Sequence, residues 1–156
     1  METNLGPAVP TLVLDTNAVL DAWLFKDLGM VNVLRALESR HLVWVATARM
    51  RDELAHTLRL PALQDRQAEA ASTLARFDAL AHLCAEPGRT ANRQLWCSDN
   101  DDQVFMDLAL EHSARWLLTK DKALLRLGRK ARVFGVQILQ PARWRSASDT
   151  PTPPGA

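Results

Sequence analysis

The chain of 156 residues has only two cysteines, Cys84 and Cys97, and their spacing matches neither a CxxC pair nor another zinc-ligand pattern. Such isolated cysteines predict free thiols in a reducing cytosol. No stretch approaches the roughly 20 apolar residues that a membrane-spanning helix requires. The first ten residues have neither a basic start nor an apolar run, so they do not look like a secretory signal. We therefore expect a soluble, cytoplasmic protein with no membrane partner.

An excess of charge of either sign is also missing. Lys and Arg together number 19, Asp and Glu number 18, and the formal net charge is +1. Nucleic-acid-binding domains often have a clear basic excess. An acidic pocket and a basic rim cancel in such a sum, so the balance does not exclude an RNA partner. The composition is that of an ordinary globular protein, and the length suits one domain.

Several common active-site motifs are absent. The four histidines form no HExxH pair, and the chain contains no GxSxG, no Walker A sequence and no glycine-rich dinucleotide motif. These absences leave zinc hydrolases, serine hydrolases and nucleotide-driven enzymes without support. The acidic residues therefore become the main candidates for chemistry.

Apolar runs alternate with helical stripes along the chain. The runs at 11–14, 41–46, 115–119 and 136–139 predict strands, with a weaker one at 83–85. The segments 63–83 and 102–112 have helical spacing. This order predicts a three-layer α/β/α domain with a central parallel sheet over residues 11–145. We expect residues 1–10 to be a loose lead-in and residues 146–156, rich in Ser, Thr and Pro, to be a disordered tail.

Acidic residues follow the predicted strands where such a sheet binds its ligands, outside the carboxyl ends of the strands. Asp15 directly follows the first strand, and Asp121 comes two residues after the 115–119 run. Glu53 lies about two turns into the helix after the second strand, and Asp102 begins the helix before the 115–119 run. Carboxylates that share a crevice need a cation between them or a proton on one of them. Their hard oxygens suit Mg²⁺ or Mn²⁺, which can activate water for displacement at phosphorus.

Each acid also has a simpler structural interpretation. Asp15 could belong to a strand-to-helix turn, and Glu53 could be a solvated helix residue. The acids at positions 99, 101 and 102 could merely favour a helix N-terminus electrostatically. The combination favours a site, because separate acids fall where the topology predicts the ligand crevice. It leaves open which of Asp99, Asp101 and Asp102 is the principal ligand.

Three blocks of the chain resemble the PIN domain family. The run VLDTNAVL (13–20) is similar to the family's opening strand with its Asp, followed two residues later by Asn. TARMRDELAHTLRLP (47–61) is similar to its second acidic block, and CSDNDDQVFMDLALEHSARWLLTKDKALL (97–125) is similar to its third and fourth. VQILQPARW (136–144) resembles the closing segment of one subgroup, the toxin components of toxin–antitoxin systems. Gln103 and Val104 depart from that subgroup, which usually has a charged residue there.

The resemblance implies a metal-dependent endoribonuclease with a three-layer α/β fold. It places the catalytic and metal-binding roles on four acids: Asp15, Glu53, Asp102 and Asp121, with Asp52 as the alternative to Glu53. It implies that Asn17 and Thr119 support the site by hydrogen bonding and that Asp99 is an auxiliary acid. The cofactor would be Mg²⁺ or Mn²⁺, and the reaction would be hydrolysis of an RNA phosphodiester by metal-activated water. The implied partners are RNA, a cognate antitoxin and, as a further option, a second copy of the chain.

Further residues suggest RNA contacts, and two other functions compete with the nuclease. Arg129 and Lys130 could contact phosphates, although a solvated surface is the simpler interpretation. Trp96 could stack on a base. The first competing function is a non-catalytic PIN-fold module that binds RNA or protein. The second is a haloacid-dehalogenase-like phosphohydrolase, which needs a second Asp at position 17, where this chain has Asn17.

Overall fold

The computed structural model describes residues 9–146, so the expectations for the lead-in and the tail fall almost wholly outside the described residues. This part of the chain contains five strands: β1 (Thr11–Leu14), β2 (Val43–Thr47), β3 (Ala81–Cys84), β4 (Trp116–Leu118) and β5 (Gln137–Leu139). Its α-helices are α1 (Thr16–Trp23), α2 (Val31–Glu38), α3 (Ala48–Leu58), α4 (Gln67–Leu80), α5 (Gln103–Glu111), α6 (Lys122–Leu125) and α7 (Gly128–Arg132). No helix among the described residues is both long and apolar enough to span a membrane.

The five strands form one parallel sheet in the order β3-β2-β1-β4-β5. From β1 the chain moves outward to β2 and β3, and then returns to β4 and β5 on the other side. Because crossovers between parallel strands are right-handed, α1 to α4 cover one face and α5 to α7 cover the other. The contacts agree, since α4 packs on α1 and α3, whereas α5 packs on β1 and β4. The predicted three-layer α/β fold is confirmed.

The strand order reverses between β1 and β4, and these two strands form the centre of the sheet. Leu12, Val13, Leu117 and Leu118 are fully buried, as expected for strands covered on both faces. Open parallel sheets bind ligands at the point of reversal, beyond the carboxyl ends of the strands. The fold therefore places its ligand crevice after Leu14 and Leu118.

Aromatic contacts tie the outer elements to this sheet. Trp44 of β2 stacks on Trp23 of α1, with 5.5 Å between ring centroids, and meets Phe77 of α4 edge-on at 5.0 Å. Trp116 of β4 meets Trp144 edge-on at 5.4 Å, so the segment after β5 closes over the sheet. Each such pair contributes about 0.5–1.5 kcal/mol to stability beyond the burial of its rings. These contacts pack α1, α4 and the segment after β5 against the sheet.

Several predicted boundaries were wrong. The helix predicted over 63–83 consists of a 3₁₀ helix, Pro61–Arg66, followed by α4, which ends at Leu80. The backbone becomes extended at Ala81, where β3 begins to pair with β2, so the strand predicted at 83–85 begins two residues earlier. The helix predicted over 102–112 starts at Gln103, after a separate 3₁₀ turn. These differences come from strand pairing and loop contacts, which local periodicity does not contain.

Candidate metal centre

Asp15 lies where β1 ends and α1 begins, and its side chain is buried. Its Oδ1 accepts a hydrogen bond of 2.8 Å from the backbone N–H of Ala18, which makes it the N-cap of α1. Its Oδ2 accepts a hydrogen bond from the hydroxyl of Thr119. Burial raises the pKa of Asp15, although both hydrogen bonds act in the opposite direction. Asp15 therefore does belong to a strand-to-helix turn, with Asp15 itself as the N-cap, and the turn leaves an acid held at the ligand edge of the sheet.

Thr119 and Asp121 follow β4, the neighbour of β1. Thr119 is fully buried, and its hydroxyl oxygen accepts a hydrogen bond of 2.8 Å from the backbone N–H of Asp121 while it donates to Asp15. Asp121 is the N-cap of α6, because its Oδ1 accepts a hydrogen bond of 2.8 Å from the N–H of Ala123. One hydroxyl thus joins the two loops that carry these acids.

The segment between β3 and α5 carries the other acids. Asp99 caps the 3₁₀ helix Asn100–Asp102, and its Oδ1 accepts a hydrogen bond of 2.9 Å from the N–H of Asp101. One carboxylate oxygen from each of Asp99, Asp102 and Asp121 lies within 4.8 Å of the other two. We call these three residues the acid cluster. Asp101 itself is exposed and does not belong to it.

Within the acid cluster, Asp102 has a buried oxygen without a partner. Among the described residues its Oδ2 is one of the few buried side-chain polar atoms that no hydrogen bond satisfies. Burial and the nearby carboxylates of Asp121, Asp99 and Asp15 raise the pKa of Asp102 to about 7. An unpaired buried oxygen is costly, and a cation would satisfy it. Three carboxylates with one orphaned oxygen fit a hard divalent ion such as Mg²⁺ or Mn²⁺.

A buried polar network anchors the segment that carries Asp99. The side chain of Gln103, the first residue of α5, accepts a hydrogen bond of 2.5 Å from the N–H of Cys97 and donates one of 3.2 Å to the carbonyl of Leu95. Gln103 also donates a hydrogen bond of 2.9 Å to Asp107, which in turn accepts one of 3.1 Å from the N–H of Thr90. The departure from the toxin subgroup at position 103 therefore has a structural role in this chain.

Two clefts flank the acid cluster. The first, of about 550 Å³, contains Glu53 and Asp102, and we call it the Glu53 cleft. The second, of about 730 Å³, contains Asn17, Asp99 and Asp121, and we call it the Asn17 cleft. Asn100 lines both clefts. An extended ligand can therefore approach the acid cluster from either side.

Among the other predicted residues, some line the clefts beside the acid cluster and others do not. Glu53 is exposed on α3 and shares a cleft with Asp102, and its carboxylate lies outside the group of atoms within 4.8 Å. Asn17 is exposed in the second cleft. Arg129 and Lys130 are exposed on α7, and neither lines either cleft. That Asp15 and Glu53 ligate the metal, and that Arg129 and Lys130 touch RNA, stay predictions.

Sequence reasoning missed an ion pair beside the site. The Nζ of Lys120 lies 2.9 Å from carboxylate oxygens of both Asp21 and Asp27, and Lys120 also lines the Asn17 cleft. These contacts fasten the end of α1 and the loop after it to the loop after β4. Lys120 and Asp27 are separated by 93 positions, so no local pattern could have found the pair.

A sequence comparison with protein families matches residues 11–123 to the PIN domain. The chain belongs to the PIN domain family. The match spans β1 through the start of α6, and it therefore includes Asp15, Glu53 and the whole acid cluster. A comparison with curated proteins finds none that matches. PIN domains are generally metal-dependent nucleases, and this one has an acidic cluster that could bind a divalent ion.

Proposed function

We propose that this PIN domain is a Mg²⁺- or Mn²⁺-dependent endoribonuclease that hydrolyses RNA phosphodiester bonds in the cytoplasm. The observation that carries the proposal is the acid cluster with the orphaned Oδ2 of Asp102, placed between two clefts at the reversal point of the sheet. A bound divalent ion would supply an activated water and stabilise the charge that develops at phosphorus.

The residues of the chain would divide the work by position. Asp99, Asp102 and Asp121 would hold the ion, since their oxygens already lie within 4.8 Å of one another. Thr119 would position Asp121 and Asp15 through its two hydrogen bonds. Asp15 would add negative charge beside the ion, as its contribution to the raised pKa of Asp102 indicates.

Glu53 has a distinct position in this proposal. It is exposed in the cleft that leads to Asp102, so its carboxylate is accessible to a water that attacks an RNA phosphate. A carboxylate there would accept a hydrogen bond from a water bound to the ion, or a proton from the attacking water. Asn17 would contact the RNA strand on the other side, because it lines the opposite cleft.

The test is cleavage of end-labelled single-stranded RNA by the full chain with Mg²⁺ or Mn²⁺, with EDTA, and by the Asp102→Asn variant. Asp52→Asn is the matched control, because Asp52 is an exposed acid that lines neither cleft. We expect the wild type and Asp52→Asn to cleave only with metal, and Asp102→Asn to lose at least about 100-fold in rate. Folded wild-type protein that cleaves no RNA with either metal would contradict the proposal and favour a binding module.

We further propose that the nuclease is the toxin component of a toxin–antitoxin system. The support is the resemblance of residues 136–144 to that subgroup. These residues form β5, a proline-initiated 3₁₀ turn and Trp144, which packs on Trp116. Induced expression of the wild type should arrest growth, whereas Asp102→Asn should not. Normal growth at a matched protein level, together with RNA cleavage in vitro, would retain the nuclease and reject the toxin role.

A further inference from the structure

The Glu53 cleft contains two arginines whose guanidinium groups form no ion pair with the described acids. Arg49 and Arg89 both line it, and in the described part of the chain neither guanidinium group forms an ion pair. Arg51, in contrast, forms a bidentate ion pair with the carboxylate of Asp78. The backbone N–H of Arg49 donates a hydrogen bond of 3.2 Å to Oε2 of Glu86, an acid of the same cleft. The cleft therefore combines acids, among them Asp102 and Glu86, with two guanidinium groups that form no ion pair. That distribution suits a polyanion whose phosphates reach both an ion at the acids and the guanidinium groups.

Arg89 differs from Arg49 because an aromatic ring holds it. The guanidinium carbon of Arg89 lies 4.1 Å from the ring centroid of Trp96, and that of Arg93 lies 5.2 Å from the same centroid. The ring is fixed in turn, since its Nε1–H donates a hydrogen bond of 2.9 Å to the carbonyl of Thr90. A guanidinium stacked on a fixed ring loses little conformational freedom when it binds a phosphate.

Arg89 is also tied to the acid cluster through the backbone. It starts the segment that leads to Asp99, and the hydrogen bonds of Gln103 and Asp107 anchor that segment to α5. The same segment continues to Asp102, which lines the Glu53 cleft together with Arg89. Because the segment is anchored, the positions of the guanidinium group and the acid are restricted before a ligand binds, which favours recognition of two phosphates of one strand.

We propose that Arg89, held against Trp96, binds a backbone phosphate of an RNA strand that lies in the Glu53 cleft and extends to the acid cluster. Arg49 provides a second cation along the same cleft. The proposal rests on the proposed function, because it places the RNA at the same site. It assigns substrate binding to the loop between β3 and α5 rather than to Arg129 and Lys130 of α7.

The test is binding of a fluorescein-labelled single-stranded oligoribonucleotide of about 12 nucleotides, measured by fluorescence anisotropy with EDTA present so that no cleavage occurs. Affinity is measured from about 50 to about 200 mM salt. The slope of log affinity against log salt is negative, and each lost phosphate contact makes it less steep by about 0.7. Arg89→Met should make the slope less steep by this amount and weaken binding several-fold. Arg89→Lys should keep the slope and weaken binding less, because the charge remains while the planar stack is lost.

Arg115→Met is the matched control. Arg115 is exposed and lies 4.7 Å from the ring centroid of Trp116, so it makes the same kind of contact, but just before β4 begins, at the opposite end of the strand from Thr119. It should bind RNA like the wild type. Three results would each overturn the proposal: an unchanged slope in Arg89→Met, an equal loss in Arg115→Met, or a folded wild type that does not bind RNA at the lowest salt. Thermal unfolding of each variant verifies its fold.

Cleavage assays separate this proposal from the nuclease proposal. If the slope changes as expected but no metal-dependent cleavage occurs, Arg89 is an RNA-binding residue of a non-catalytic domain. If cleavage occurs and Arg89→Met cleaves with an unchanged KM, the nuclease proposal stands and the role of Arg89 is rejected. A raised KM with a nearly constant kcat is the outcome that supports both.

Discussion

The hydroxyl of Thr119 donates a hydrogen bond to Oδ2 of Asp15, although the two residues are 104 positions apart in the chain. The same hydroxyl accepts a hydrogen bond from the backbone N–H of Asp121. Both residues are buried, so neither water nor another side chain can easily replace these contacts. The two central strands thus present their acids as one unit, which makes Thr119 a sensitive point of the site.

Thr119→Val keeps the shape of the side chain and removes both hydrogen bonds. The buried Asp15 carboxylate and the N–H of Asp121 then lose a partner, at a cost of about 1–3 kcal/mol each. We expect the free energy of unfolding in urea to fall by about that amount and metal-dependent cleavage to fall by about tenfold or more. Thr119→Ser retains the hydroxyl and should restore most of both. Equal losses in the two variants would contradict a role for the hydroxyl.

Asp102→Asn should stabilise the metal-free protein, and more so at high pH. The pKa of Asp102 is about 7 in the folded chain, against 3.8 for an ordinary Asp, so the folded state holds the proton more tightly than the unfolded state. Asp102 therefore lowers the free energy of unfolding progressively as the pH rises from about 4 to about 7. Above that pH its destabilising contribution stays constant. The difference in Tm between variant and wild type should be larger at pH 8 than at pH 5. A difference that shrinks as the pH rises would contradict this assignment.

Mg²⁺ or Mn²⁺ should raise the Tm of the wild type, because an ion that binds only the folded state stabilises it. The expected gain is about 2.7 kcal/mol at a metal concentration 100 times the Kd. The Asp102→Asn variant should lose most of this metal-dependent stabilisation, whereas the Asp52→Asn variant should keep it. Scanning calorimetry with and without metal measures the effect. An equal metal-dependent shift in the wild type and Asp102→Asn would place the ion elsewhere.

Glu53→Gln tests an acid that lies outside the acid cluster. If Glu53 acts on the attacking water, cleavage should fall by about 100-fold or more while the metal affinity changes less than it does in Asp102→Asn. Asp52→Asn, one residue earlier on α3, is again the control. Metal affinity can be followed by calorimetric titration with Mn²⁺. A rate within twofold of the wild type would remove Glu53 from the mechanism.

Gln103→Met tests whether the anchor of the loop between β3 and α5 matters to the metal site. The variant fills a similar volume but releases the N–H of Cys97 and the carbonyl of Leu95. We expect metal affinity to fall by about 10–100-fold, as is usual when the support of metal ligands is removed. Gln94→Met, at an exposed position in the same loop, should behave like the wild type. A lower Tm with unchanged metal affinity would show that Gln103 is structural only.

The amino-acid sequence by itself determined the class of fold and the position of two acids. Apolar runs and helical stripes are local patterns, and Asp15 and Asp121 directly follow the strands that such patterns reveal. Parallel sheets bind ligands beyond the carboxyl ends of their strands, and this rule predicted that both acids lie at one edge of the sheet. The end of α4 at Leu80 could not be found this way, because the pairing of β3 with β2 determines it.

Only the tertiary structure decided the membership of the acid cluster. The resemblance pointed to Asp102 with Asp99 as an auxiliary acid, but the residues alone left the principal ligand open among Asp99, Asp101 and Asp102, since three acids in four positions have no periodicity that separates them. The 3₁₀ turn and the anchor at Gln103 bring Asp99 and Asp102 to Asp121, and leave Asp101 exposed. The stack of Arg89 on Trp96 and the bridge from Lys120 to Asp27 are likewise invisible in the chain. Each contact depends on how a loop folds. Such contacts are determined by the whole fold rather than by the neighbouring residues in the sequence.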